Sequence, residues 1–469
     1  MNSVTQNLED ANYLSARIRR FFKHFKISEI LRNCNAYKQS GISVVLLISY
    51  LFSLVFRGRS MNTDMILGQT AFKKDTVYRF QNSSGINWLR MTTQLSSRVI
   101  EEIQPLTSEQ RRKVFIIDDS IVERERSKTV ELLARVYDHA KRHKCVPGYR
   151  MLTLGWSDGA SFVPVNSCMM STENAENRLV PARELPKGSN GAKRREMAQK
   201  KMTEVVPELL KTAINEGIKA QYVLFDSWFS SPKEIAAVKM LGLDVVAMVK
   251  KSSRIRYEFQ GEKLDCGQIY SRCKKRRGRS RYLLSVPITI DARTDKNETA
   301  GIPAKLVYIR NRNKKDEYLV LLTTDTALAE EEVIRLYARR WEIEVFFKAC
   351  KSLLKLKGEC QSLSYDAVCS HTAIVFMRYM FLAVEMRTEK DPRTMGPLFY
   401  LISNEMPEIS VSDALAKLQL FMKNCLSGIN LPEGEFCALF DKLRADLPVF
   451  IAGFLGITGN LCGSMAVSE

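Results

Sequence analysis

The stretch VFIIDDS, residues 114–120, is an apolar, β-branched run that ends in two acids. That is the texture of a strand buried in the middle of a sheet, delivering carboxylates to its C-terminal edge. Neighbouring side chains on a strand point to opposite faces, so only one of Asp118 and Asp119 can serve a site on a given face. A second stretch, YVLFDSWFSSPKEI (residues 222–235), places Asp226 at the end of another short apolar strand. Ser231, Pro232 and Glu234 already supply the N-cap, first-turn proline and capping-box glutamate of the next helix, which leaves Asp226 free for chemistry.

Outward from these two strands the chain keeps a βα texture. MLTLGWSDGASFVPV (residues 151–165) reads as a hairpin turning at Asp158-Gly159, with Asp158 as turn former rather than ligand. A basic helical stretch covers residues 193–211, and DVVAMVK (residues 244–250) is a further strand. From about residue 251 to 324 the rhythm gives way to strand-like pieces, RYLLSVPITI, AKLVYIR and EYLVLLTT, around a basic block, RCKKRRGRSR, at residues 272–281. His139 and His143 form an i,i+4 pair, but lysines and arginines surround them, so a solvated basic segment is expected there and not a metal site.

YARRWEIEVFFKACK, residues 337–351, reads as one helix with two differently dressed faces. Leu336, Ile343, Phe346, Cys350, Leu353 and Leu354 form an apolar stripe at helical spacing. At 100° per residue, Tyr337, Arg340, Glu344 and Lys351 fall in a sector of about 60° beside it, so one carboxylate is flanked by two cations and a phenol. The plain alternative is a solvated face, since i,i+4 pairs such as Arg340/Glu344 are worth a few tenths of a kcal/mol.

The order Tyr-x2-Arg-x3-Glu-x6-Lys, with Trp341 directly after the arginine and Ile343 and Lys348 in step, closely resembles the YREK signature of DDE transposases of the insertion sequence 4 family. The resemblance implies an α/β fold: a ribonuclease-H-like catalytic core with a β-rich insertion, flanked by helical N- and C-terminal domains. It implies that Asp118, Asp226 and Glu344 are the catalytic, metal-binding acids, with Asp119 as fallback for the first, because the family's pattern is an acid, a variable residue and then Ser or Thr. Tyr337, Arg340, Lys348 and Lys351 are then expected to grip phosphates near the transposon end. Two Mg²⁺ ions are implied, with Mn²⁺ as substitute, because hard divalent ions take oxygen ligands. Trp228 admits a base-stacking role or a place in the core, and the core is the expected one because tryptophan is usually buried.

Composition agrees with a polyanionic partner. Across 469 residues, 71 Lys and Arg stand against 52 Asp and Glu, a net charge of +19, which favours nucleic acid over a membrane surface. A basic ribosomal or chromatin protein has the same balance, so charge alone names no activity. The basic block, with Arg272, Lys274, Lys275, Arg276 and Arg277, is expected on a DNA backbone. Eleven cysteines show no C-x-x-C pair, and with no secretory signal they read as reduced, mostly buried thiols of a cytoplasmic protein, which in a bacterial DNA enzyme means association with the nucleoid.

The chain should divide into a helical DNA-binding domain (1–100), a first part of the core (101–250), the β-rich basic insertion (251–325), a second part of the core with the glutamate helix (326–385) and a helical C-terminal region (386–469). In the first, Leu14, Ile18, Phe21, Phe22 and Phe25 recur at helical spacing, and residues 42–56 are too short for a bilayer and read as a buried helix. Residues 60–82 allow a helix-turn-helix broken at Gly68, with Lys73, Lys74, Tyr78 and Arg79 on the reading helix, or a plain helical hairpin. Residues 371–386 form a strongly apolar helix, Pro392 and Pro397 punctuate the chain after it, and the tail is expected to fray. The function implied is cut-and-paste DNA transposition by a homodimer that binds inverted-repeat ends and target DNA; the alternative is a non-catalytic DNA-binding protein derived from such an enzyme.

Overall fold

The computed structural model describes residues 15–404 except 67–69, 71, 139–143, 279, 294–298, 312–313, 315–316 and 389–392. The histidine pair, Leu14, Gly68, Pro392 and the tail therefore lie outside the described residues.

Among the described residues six α-helices come first: α1 (Ala16–His24), α2 (Ile27–Asn33), α3 (Val44–Ser53), α4 (Met61–Ile66), α5 (Lys74–Gln81) and α6 (Trp88–Ile103). Ile18, Phe21, Phe22 and Phe25 are buried, as their spacing demands. α3 is the buried helix expected from residues 42–56; its Ser49 and Ser53 hydroxyls donate to the carbonyls of Leu46 (3.0 Å) and Tyr50 (2.9 Å), which lets polar residues sit inside.

A mixed sheet comes next, with β1 (Val114–Glu123), β2 (Ala134–Asp138), β3 (Lys144–Ser157) and β4 (Phe162–Met170) joined antiparallel through β3. Helices α7 (Asn190–Ala198) and α8 (Met202–Asn215) replace the single basic helical stretch expected over residues 193–211. β5 (Tyr222–Phe225) then lies parallel to β1, α9 (Pro232–Met240) crosses over, and β6 (Asp244–Met248) lies parallel to β5. The hairpin turn falls at Asp158-Gly159, where Asp158 Oδ1 accepts from the N–H groups of Ala160 (2.9 Å) and Ser161 (2.8 Å).

The β-rich segment continues the same sheet. β7 (Tyr257–Phe259), β8 (Glu262–Leu264), α10 (Cys266–Arg272), β9 (Tyr282–Arg293), β10 (Thr299–Arg310) and β11 (Tyr318–Thr323) succeed one another in the chain. β11 pairs antiparallel with β6, giving the order β2-β3-β1-β5-β6-β11-β10-β9-β7-β8 with β4 beside β3.

The stretch read as one helix over residues 337–351 is two: α11 (Glu330–Ala338) and α12 (Trp341–Ser352). At the junction the bonds tighten to i→i−3, from Arg339 N to Leu336 O and from Arg340 N to Tyr337 O, each 3.0 Å. A tether explains the break. Arg339 donates to the backbone carbonyl of Arg112, just before β1, and at 3.0 Å to that of Asp158 in the hairpin turn. Gly159 makes room for it: its φ of 80° suits glycine, and a Cβ there would collide with the Arg339 guanidinium. The apolar stripe survives the break, with Leu336, Ile343, Phe346, Cys350 and Leu354 all buried.

α13 (Tyr365–Thr388) and α14 (Met395–Asn404) close the described chain. Among the described residues α13 is long and apolar enough to cross a membrane, but 94% of its apolar window is buried inside the protein. Phe381 on α13 packs against Phe21 (5.4 Å between centroids), Phe52 (5.7 Å) and Phe56 (5.6 Å), so the N-terminal helices and the core share one hydrophobic interior.

Candidate active site

β1 and β5 run parallel, with Ile116 opposite Leu224. Carrying that register two residues further sets Asp118 opposite Asp226, the first residue past β5. β1 does not end at its acids as its sequence suggested: its antiparallel pairing with β3 runs on to Glu123, while parallel pairing with β5 stops at Ile116. The two aspartates therefore stand just past the point where the parallel pairing gives out.

The two acids of β1 part company as alternation requires. Asp118 Oδ2 accepts from Arg340 Nη1 at 2.6 Å, whereas Asp119 Oδ2 accepts from Arg150 Nη1 at 2.7 Å. Arg340 Nη2 also donates to Glu344, so a single guanidinium bridges Asp118 and Glu344. Burial pushes the Asp118 carboxyl up to about 7, with Arg340 pulling against it and the charges of Asp226 and Asp119 adding to it. Burial raises Asp226 as well, opposed by the Trp228 N–H and by Arg340. Asp226 is not wholly free: its Oδ1 accepts from the Trp228 N–H at 2.8 Å in a turn of its own, and Ser231 stands at the N-cap of α9 without a hydroxyl cap bond.

The rest of the helix face turns toward the same place. Lys351 Nζ donates to Ser120 Oγ at 2.6 Å, and burial lowers its pKa. Tyr337, carried at the end of α11, is pushed up to about 12 by burial and feels the charges of Arg340, Asp226 and Asp118. Lys348 is exposed on α12. Trp228 is 58% exposed and not in the core: Phe229 takes the buried position beside it, and the Asp226 turn swings the indole outward. Trp341, 64% exposed, projects outward at the start of α12.

Among the described residues no three His, Cys, Asp or Glu side chains converge closely enough to hold a metal ion by themselves. The donors nevertheless suit a divalent cation. Asp118, Asp226 and Glu344 offer hard oxygens; Arg340 bonds the first and the third, and burial is what raises Asp118 and Asp226.

A family model described as DDE superfamily endonuclease matches residues 48–308, more than half of the chain. The chain belongs to the DDE superfamily endonucleases. Nucleases of this superfamily act on DNA and generally use divalent metal ions. The matched span includes Asp118 and Asp226 of this endonuclease and ends before Glu344. No curated protein matches the chain.

Among the described residues no bond links the endonuclease's other predicted DNA-facing residues to the carboxylates. Lys274, Arg276 and Arg277 are exposed in the loop between α10 and β9. Part of this block is engaged: Arg272 pairs with Glu262 (2.8 Å), Lys275 lies over the Tyr270 ring (4.6 Å) and Arg276 over Tyr282 (4.5 Å). Lys73 precedes α5, and Lys74 and Arg79 are exposed on it. Sequence reasoning missed Arg150, which occupies Asp119, and Arg339, which breaks the helix. Neither is signalled locally, since each acts across strands or over a long separation in the chain.

Proposed function

We propose that this endonuclease is a cut-and-paste transposase of the insertion sequence 4 type, built on a ribonuclease-H-like core. The observation that carries the reading is the bridge from Asp118 through Arg340 to Glu344 beside Asp226. It joins the first acid, the arginine and the glutamate of the YREK order across 222 residues of chain. A solvated helix face has no reason to reach into the end of a central strand. The strand order β4-β3-β1-β5-β6, with β1 central and β3 antiparallel to it, supports the core assignment.

Asp118, Asp226 and Glu344 are the residues that would hold divalent ions in this reading; Asp119, the fallback for the first, faces the other side of β1, toward Arg150. When bound, such ions activate the attacking oxygen and stabilise the leaving one. The chain's own groups do the positioning: Arg340 offers a planar fork to phosphate oxygens, Lys351 a point charge and Tyr337 a phenol from the same side. The enzyme, as a dimer on two inverted-repeat ends, hydrolyses one strand. The freed 3′-OH then attacks the opposite strand to close a hairpin, which is reopened before joining to target DNA.

The test is a nicking assay on a labelled duplex of the inverted repeat flanking the reading frame, with Mg²⁺ or Mn²⁺ and with chelator. Metal-dependent nicks and then hairpins are expected. Tight binding with no nick under any divalent ion would return the protein to the class of non-catalytic DNA binders derived from a transposase.

A further inference from the structure

We propose that Ser120 is a DNA-binding residue, forming with Lys351 a second phosphate seat one nucleotide away from the phosphate held at Arg340. This rests on reading the carboxylate site as a DNA-cleaving one and adds a residue and a register to it.

The geometry comes from two elements side by side. Ser120 lies two residues past Asp118 on β1, so its side chain shares the Asp118 face about 6.7 Å further along, on the scale of the step between neighbouring phosphates of one strand. Lys351 lies seven residues past Glu344 on α12, two turns on and on the same face. β1 and α12 are thus linked at two levels: Asp118 with Arg340 and Glu344, then Ser120 with Lys351.

The second level is left with donors to spare. Ser120 Oγ accepts from Lys351, so its own O–H remains to be given, and the ammonium keeps two further N–H groups. Among the described residues neither side chain bonds to anything else. Lys351 feels Glu123 and Asp138 without bonding either, Glu123 being paired with Lys357 at 2.9 Å. Three convergent donors, one of them a half-buried cation without a carboxylate partner, suit an anionic oxygen, which accepts hydrogen bonds and gives none. Arg340 and Lys351 then divide the work, the fork on one phosphate and the point charge with its hydroxyl on the next.

The experiment is a binding scan. A labelled duplex of the flanking inverted repeat carries a single neutral methylphosphonate at each phosphate in turn, and affinity is measured without metal for the wild type, Ser120→Ala, Ser120→Thr and Lys351→Met. One position is expected to cost the wild type and Ser120→Thr about tenfold, as loss of a charge-assisted hydrogen-bond pair should. Ser120→Ala and Lys351→Met should bind the unmodified duplex more weakly and lose little or nothing further at that position. A scan of Ser120→Ala that matches the wild type at every phosphate overturns the proposal, whatever its effect on overall affinity. Failure of the wild type to nick the unmodified duplex would defeat the transposase reading instead, while the scan would still decide the role of Ser120.

Discussion

Arg340 Nη1 stands 2.6 Å from Asp118 Oδ2, and its second terminal nitrogen is committed to Glu344. One cation therefore serves two carboxylates, with Asp226 raised by burial beside them. Because Asp118 titrates near 7 in the folded protein instead of near 3.8, folding takes up a proton between those values. Its contribution to stability is fullest at low pH and is lost as pH rises toward 7. Asp118→Asn should therefore raise the melting temperature of the metal-free protein at pH 8, and by less at pH 4. A divalent ion should stabilise the wild type more at pH 8 than at pH 5, since protons compete for its ligands. Thermal melts across pH with and without Mg²⁺ check both; a gap that does not change with pH would count against a buried, proton-accepting Asp118.

Loss of a ligand should separate cleavage from binding. Asp226→Asn and Glu344→Gln are expected to abolish strand cleavage while leaving affinity for the end duplex largely intact, because they remove metal ligands and not phosphate donors. Paired nicking and mobility-shift assays on one labelled duplex measure this, and wild-type cleavage in either variant would sink the assignment.

The loop between α10 and β9 offers a salt test. Lys274 and Arg277 are exposed without a bonded partner among the described residues, whereas Lys275 and Arg276 rest on aromatic rings. Neutralising all four should flatten the dependence of log affinity on log salt by up to ~0.9 for each phosphate that is no longer neutralised. Arg272, already paired with Glu262, should matter less. An unchanged slope would return the loop to plain solvation.

The central strands were legible because their apolar runs are bounded by acids that cannot be buried without a reason, and α13 because little but a core holds so apolar a helix. The break between α11 and α12 was not legible. Arg339 is one more cation in a charged run until the hairpin turn and the start of β1 are known to lie beside it. Trp228 was misread for a similar reason. Composition favours burying an indole, and only the turn made by Asp226 and the burial of Phe229 show that it points outward. Strand alternation said that only one of Asp118 and Asp119 serves a given face, and the preference for Asp118 came from the family's pattern of an acid, a variable residue and Ser or Thr; the residue that pairs with Asp119, Arg150, needed the register of β3.

Arg378 is a buried cation within α13 and ties three parts of the fold together. Fully buried, it donates to the carbonyls of Leu51 and Phe52 in α3 and of Leu354 beyond α12, and twice to Glu359 (2.6 and 3.2 Å). Arg378→Met removes the donor that those carbonyls share and leaves Glu359 with only His371 Nδ1 nearby (3.8 Å), and should cost about 3–5 kcal/mol. Adding Glu359→Gln should recover part of the loss. Urea unfolding of the single and double variants checks this; a single variant within about 1 kcal/mol of wild type would show that the network contributes little.

The sharpest distinction between a phosphate clamp and a charged helix face lies in Arg340→Lys. The substitution keeps the charge and removes the fork, and in this structure the fork is in use at both tips, on Asp118 and on Glu344. A lysine ammonium cannot reproduce that planar two-pronged geometry, so about one charge-assisted bond, worth roughly 1.5–3 kcal/mol, is lost. First-strand nicking tolerates this, because water is the nucleophile and the acids remain in place. Hairpin closure does not, because the terminal nucleotides must be held bent against the attacking 3′-OH and a small misplacement is expensive. Arg340→Lys is thus expected to nick at a normal or reduced rate and to accumulate nicked product without hairpin. On an exposed face the same exchange would be nearly silent, since such pairs are worth under about 1 kcal/mol with either cation. The measurement is the ratio of hairpin to nicked product on a labelled end duplex, and an unchanged ratio would remove Arg340 from the clamp.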